Sequence, residues 1–422
     1  MTPLLGLAAR SAWNRRFVLA LVVASIALST FLLLGIERIR QDVRASFSQA
    51  VSGTDLIVGA RTGSVQLLLY SVFRIGQATQ NMRYASAQAL AGHRAVAWMV
   101  PLSLGDSHRG FPVLGTSAAY FAHFRHGNRQ SLSLSQGRAF GAPGLFEVVL
   151  GAEVARRLGY ALGQPVVISH GDGALTANDH ADKPFTVVGV LAPTGTPVDR
   201  TVHISLESME AIHLDWVAGV PLPGLKVPAD QVTQHDLAPR QITAVMLGLK
   251  SRAAVFSVQR DIQSWRDEPL MAILPGVALD ELWDVVGLGE RALLAISALV
   301  AVVSAAGLVA VVLAGLDARR RELAILRAVG ASPRHMLALL ALEGGWVTLA
   351  GVGTGAVLHT VALALLAPWA QQHFGLVLNA GAALATQWGL IGALLAGGFL
   401  ASLVPGWRAY RLSLADGLSP RT

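Results

Sequence analysis

Phe17 to Ile36, Ala292 to Leu316 and Gly344 to Ala367 contain no Asp, Glu, Lys or Arg, and these runs constrain the chain more than any other feature. Each reaches the ~20 residues a helix needs to cross the hydrocarbon core of a bilayer. Trp388 to Val404 is shorter and Gly-rich but meets the ~17-residue lower limit. Composition agrees: 53% of the 422 residues are hydrophobic and 14% charged, against roughly 45–50% and about 25% in average soluble domains. The expected fold class is a membrane protein of four transmembrane α-helices, with a large α+β extracytoplasmic domain inserted between helices 1 and 2.

The net charge of +7 is concentrated locally. Arg10, Arg15 and Arg16 precede the first span, Arg319, Arg320, Arg321, Arg327 and Arg334 lie between the second and third, and Arg408, Arg411 and Arg421 follow the fourth. Pro368 to Gln387 carries no formal charge. The positive-inside rule then makes both termini and the arginine-rich loop cytoplasmic. The excess base reports topology and argues for no nucleic acid partner. The expected boundaries are a cytoplasmic segment 1–16, spans at 17–36, 286–316, 336–367 and 388–404, an extracytoplasmic domain with its stalk helices at 37–285, a cytoplasmic loop at 317–335, an outer loop at 368–387 and a tail at 405–422. The first span is longer than a signal-peptide h-region and lacks an A-x-A cleavage pattern, so it reads as an uncleaved anchor. The chain has no cysteine, hence no disulfide framework and no thiolate metal site.

Within the insertion, short or alternating apolar runs predict strands at 55–58, 95–103, 165–169, 185–191, 202–206 and 241–250. Helical spacing falls at 151–159, where Gly159 can end the helix, at 206–213 and at 251–265. Both junctions with the spans are amphipathic: Ile39, Val43 and Phe47 on one side, Leu279, Leu282 and Val286 on the other. Two such stripes predict a stalk in which the helices bury apolar faces on each other.

The stretch RRRELAILRAVGAS, residues 319–332, interrupts the apolar segments with four arginines and one glutamate. At ~100° per residue Leu323, Ile325, Leu326 and Val329 share one arc, and Glu322 projects into it. Gly330 supplies a helix stop, and Ser332 with Pro333 supplies an N-cap and a proline at N1 of the next helix. Arginines alone would suit lipid phosphates; a carboxylate on the apolar side suits a groove in a protein partner.

The sequence ARRRELAILRAVGASPRHMLALLALEG, followed by a Gly-rich span, resembles the C-terminal membrane module of FtsX/MacB/LolC-type ABC transporter permeases. RGFPVLGTSAAYFAHF, LSLSQGRAF, EVVLGAEVARRLGYALGQPVVI and FTVVGVLAPTGTPVDRTVHISLESM follow the order of that family's extracytoplasmic core, and VPGWRAYRLSLADGL resembles its closing tail. The resemblance implies that Arg320, Arg321, Glu322, Leu323, Leu326, Arg327 and Gly330 form a coupling helix on an ABC ATPase subunit. It further implies two permeases, identical or different, per complex. ATP and magnesium would be held by the partner, with no cofactor bound directly. The expected activity is mechanotransmission for export or extraction of a peptide, lipid or lipoprotein, with a periplasmic adaptor or substrate protein and membrane lipids as further partners. An FtsX-like regulator of a cell-wall hydrolase is the alternative within the family.

A phosphate-cradling loop ends in Gly-Lys-Ser/Thr, and none of the three lysines, Lys183, Lys226 and Lys250, follows a glycine. The chain therefore reads as a stand-alone permease without a fused ATPase, and not as an enzyme; neither a zinc-hydrolase helix motif nor a Gly-x-Ser-x-Gly elbow occurs. HGDGALTANDHAD gathers His170, Asp172, Asp179, His180 and Asp182. His170, Asp172 and His180 are candidate metal ligands for a metal-responsive role, although Gly, Asn and Asp are equally the residues of a surface turn. Glu343, near the head of the third span, reads as hydrated, and His359, deeper in the same span, as a bond between helices.

Overall fold

The computed structural model describes residues 16–50, 52–142, 144–170, 179–217, 220–221, 227–318, 325, 327–374, 378, 381 and 385–411. They divide into two compact units, one lying within 1–42, 287–369 and 378–422, the other within 43–286 and 370–377. Helix α1 (Arg16–Ala50) has 35 residues, roughly 52 Å at the standard rise, well beyond the ~30 Å of a bilayer core.

The inserted unit is built on an 11-stranded mixed sheet. Its strands are β1 (Leu56–Ala60), β2 (Val96–His108), β3 (Phe111–Thr116), β4 (Leu134–Gly137), β5 (Glu147–Leu150), β6 (Pro165–Val166), β7 (Ser169–His170), β8 (Phe185–Leu191), β9 (Val202–Ser205), β10 (Ala244–Leu249) and β11 (Leu270–Ile273). They run β11-β1-β10-β2-β3-β9-β5-β8-β4, with β7 on β2 and β6 on β8. Only β3/β9 and β5/β8 are parallel. The helices are α2 (Ser64–Ser71), α3 (Tyr84–Ala91), α4 (Ala119–His123), α5 (Ala152–Leu158), α6 (Leu206–His213) and α7 (Val255–Gln263).

Strand β1 shows why so many short runs are continuously apolar. Ile57 packs with Leu67, Leu102 and Leu114 on one face, while Leu56 and Val58 pack with Met82, Leu247 and Val258 on the other. Alternate residues point to opposite faces, so a strand covered on both sides needs no polar positions. A third cluster gathers Val148, Phe185, Val202 and Ile212.

Local signals behave as their chemistry requires. Gly159 ends α5 at φ 70°, in the left-handed region, where glycine carries no Cβ penalty. Ser205 caps α6 by accepting the Ser208 N–H at 3.1 Å. The expected strand 241–250 is interrupted at Thr243, whose hydroxyl accepts the Leu104 N–H at 3.0 Å. The expected helix 251–265 starts as a 3-10 turn over Arg252–Ala254, capped by Ser251, before α7.

The helical unit adds α8 (Pro275–Ala318), α9 (Pro333–Phe374) and α10 (Ala385–Arg411). With α1 they make four helices long and apolar enough to cross a membrane. The chain is thus a multi-pass membrane protein with a large α+β domain inserted between its first and second membrane helices. Polar side chains join the helices inside this unit. Ser304 Oγ lies 2.8 Å from Ser25 Oγ and 2.9 Å from Ser29 Oγ, and His359 Nε2 lies 3.3 Å from Gln387 Nε2, so His359 does bond between helices. Gly355 lets α9 approach α1 where a side chain would collide with Ala27 and Thr30. Glu343 corrects its sequence reading: it is buried, not hydrated, because helix packing covers it along α9.

Candidate functional site

Strand register brings together ionisable groups far apart in sequence. β7 pairs antiparallel with β2, which sets His170 opposite Asp106, and opposed residues share a face. His170 Nδ1 lies 2.9 Å from Asp106 Oδ1. Helix α6 ends on His213, whose Nε2 stands 3.1 Å from His170 Nδ1 and 3.5 Å from Asp106 Oδ1. The other ring nitrogen, Nδ1, is 2.8 Å from the Met209 carbonyl; the tautomer that donates there leaves the Nε2 lone pair facing the cluster.

His180 completes the group. Its ring is fully buried, 5.0 Å from that of His213 and 4.5 Å from that of Trp216. Neither of its nitrogens, nor Asp106 Oδ2, has a hydrogen-bond partner among the described residues. A buried polar group left so costs about 1–3 kcal/mol. One donor atom from each of Asp106, His170, His180 and His213 lies within 4.8 Å of every other. The segment is anchored by Lys183, fully buried, whose ammonium donates to Asp215.

Electrostatics sort the protonation states. Burial alone would raise Asp106, but hydrogen bonds from His170 and His213 hold its carboxyl at about 2. Burial, reinforced by His213, pushes His180 down to about 4. His213 is raised: burial opposes its charge, and the Asp106 hydrogen bond and charge outweigh it.

Of the sequence candidates, the fold joins His170 and His180; Asp172 lies outside the described residues. Asp106 and His213 are additions that sequence reasoning missed. They stand 64 and 43 residues from His170, and their local signals are an acid near the polar end of a long strand and a histidine closing an amphipathic helix.

The junction helices differ from the expected stalk. Phe47 stacks on Phe73 at 4.2 Å and meets the Trp283 ring edge-on at 5.4 Å. Leu279 is buried in the same cluster, with Leu282 packed against it. Val43 is half-buried, while Ile39 and Val286 are exposed. The stripes therefore bury themselves in the inserted domain's own core as well as on each other, because Phe73 and Tyr70 offer more apolar surface than a second narrow stripe does. Beside them lies a cavity of about 320 Å³ lined by Phe47, Phe73, Arg74, Pro112, Thr196 and Arg200.

For the loop between α8 and α9, Arg320, Arg321, Glu322, Leu323 and Leu326 lie outside the described residues. Arg327 is half-buried and Ile325 and Val329 are exposed. The Val329 N–H donates to the Ile325 carbonyl at 3.0 Å and the Gly330 N–H to the Arg327 carbonyl at 3.0 Å. Gly330 sits at φ 104° and Pro333 opens α9, as the stop-and-restart reading expects.

Four apolar helices and a large inserted α+β domain define a multi-pass membrane protein with one large domain outside its helices. Residues 19–265 match the MacB-like periplasmic core domain and residues 294–414 the FtsX-like permease C-terminal domain, and the chain belongs to this FtsX/MacB/LolC-type permease family. It is 24% identical over 222 residues to the lipoprotein-releasing system transmembrane protein LolC of Neisseria meningitidis serogroup B, over 51% of this chain and 48% of that protein. The match thus spans about half the length of that relative. Among solved structures, the periplasmic region of MacB from Actinobacillus actinomycetemcomitans aligns at 13% identity and a TM-score of 0.35, covering 56% of this chain and 94% of that one. The extracellular domain of the noncanonic ABC-type transporter YknZ from Gram-positive bacteria aligns at 13% and 0.30, covering 52% and 99%.

Proposed function

We propose that this chain is the permease subunit of an ABC transporter in the bacterial inner membrane, with both termini and the α8–α9 loop cytoplasmic and the inserted domain outside. A separate ATPase subunit binds the loop, and closure of its nucleotide sites is passed to the inserted domain as movement, within a complex of two permeases and two ATPases. The observation that carries this reading is the pair of family matches, 19–265 and 294–414, which together take in most of the inserted domain and most of the three later helices. The exposed apolar Ile325 and Val329, just before the Gly330 turn, supply a surface for such a partner. The substrate class is a peptide, lipid or lipoprotein handled on the outer face. Phenyl rings beside the guanidinium groups of Arg74 and Arg200 in the cavity favour an anionic amphiphile within that range.

Affinity purification of the full-length protein in mild detergent tests the reading: an ABC ATPase co-purifies. Glu322→Arg or Leu326→Asp abolishes its capture while the permease still accumulates in the membrane. Unchanged capture by both variants overturns the docking role.

A further inference from the structure

We propose that the inserted domain binds one Zn²⁺ through Asp106, His170, His180 and His213. This stands apart from the ATPase-driven reading and survives or fails without it.

The donor set selects the metal. Three imidazoles and one carboxylate suit zinc, which takes four nitrogen or oxygen ligands in a tetrahedron. Calcium and magnesium want shells of oxygen, and copper(I) or an iron–sulfur cluster wants sulfur ligands, of which the chain, lacking cysteine, offers no thiolate. Spacing agrees. Ligand atoms about 2.0–2.1 Å from a tetrahedral zinc lie roughly 3.3 Å from one another, and the three measured separations among Asp106 Oδ1, His170 Nδ1 and His213 Nε2 are 2.9, 3.1 and 3.5 Å. His180 completes the set, with a ring nitrogen within 4.8 Å of each of the other donors.

A second, independent observation points to a ligand. Asp106, His170 and His213 could satisfy one another by hydrogen bonds alone. That arrangement gives no role to His180, fully buried with both ring nitrogens unpartnered among the described residues, nor to Asp106 Oδ2. Buried polar atoms in that state are rare and need an explanation; a cation bound between them supplies one.

The surroundings match what zinc sites build around their ligands. His213 gives its remaining N–H to the Met209 carbonyl, which fixes ring orientation and raises the basicity of Nε2. The Trp216 ring packs on His180, and Lys183, three residues after His180, is tied to Asp215, the residue before Trp216. His170 and His213 keep 32% and 25% of their side-chain surface exposed, so an ion reaches the centre from solvent without unfolding. With nitrogen and oxygen donors only, the site is unaffected by thiol oxidation.

The test uses the full-length protein in detergent, stripped with a chelator and titrated with Zn²⁺ against a chromophoric competitor, with metal content measured by mass spectrometry. One zinc per chain binds, and His180→Gln and His213→Gln each weaken binding by about 100-fold, whereas the exposed His235→Gln does not. Zinc raises the melting temperature of the parent protein and not of the double variant. Co²⁺ in the parent protein gives the strong visible absorption of a tetrahedral site, a readout that does not depend on any variant folding. Absence of stoichiometric zinc in the parent protein, or parental affinity in a folded His180→Gln/His213→Gln double variant, overturns the proposal.

Discussion

The ammonium of Lys183 donates to both carboxylate oxygens of Asp215, at 2.9 and 3.1 Å, with the lysine fully buried. Burial would raise Asp215, but this lysine holds its carboxyl below the usual range. Breaking such a pair from one side strands a charge, at a cost of about 3–5 kcal/mol. Lys183→Met should therefore lower the melting temperature of the full-length protein by about 10 °C. Replacing both partners, Lys183→Met with Asp215→Asn, should recover part of that loss, and differential scanning fluorimetry in detergent reads both.

His203 predicts an acid sensitivity separate from the proposed metal site. Burial, with Arg74 nearby, pushes its imidazole from 6.5 down to about 3. The folded state therefore holds it neutral, and its contribution is complete above the unfolded value and disappears as pH falls toward the folded one. Between pH 7 and 5 this removes about 2 kcal/mol. His203→Leu should flatten the melting-temperature profile over that range in zinc-free buffer; an unchanged slope assigns the sensitivity elsewhere.

Phe47, Phe73 and Trp283 make an aromatic trio at the junction helices. Aromatic pairs are worth about 0.5–1.5 kcal/mol beyond area burial. A double-mutant cycle of Phe47→Ala and Trp283→Ala should return a coupling energy in that range, measured by thermal melting. Simple additivity would mean that each ring packs on the inserted domain alone.

Because the sequence has no cysteine, topology can be read without background. Val329 is 83% exposed and Phe256 70% exposed. Single Val329→Cys and Phe256→Cys proteins should react with an impermeant maleimide from opposite sides of the membrane, Phe256→Cys from the outside. Labelling of both from one side contradicts the proposed topology.

Charge-free length made the four membrane helices legible, since no other fold hides such runs, and Gly159 and Gly330 could be read because a left-handed turn asks for glycine at that place. Helix extent was not legible. α1 reaches Ala50 and α8 starts at Pro275 because amphipathic turns continue past the apolar run, and composition alone does not say where they stop. The stripe of Phe47 and Leu279 was visible, but not that Phe73 would share it, which depends on how α2 ends. The histidine cluster was half visible. His170 and His180 are close in sequence, whereas Asp106 and His213 join them through strand register and the end of a helix, neither of which is written in residue spacing.

That long-range assembly bears on kinetics. The four donors meet only after β7 has paired with β2 and α6 has closed on its last turn, so the complete proposed site forms late in folding. Zinc should slow unfolding while leaving the refolding rate nearly unchanged, as an interaction absent from the transition state does. Loaded protein would then outlast stripped protein under proteolysis without reaching its native form any sooner.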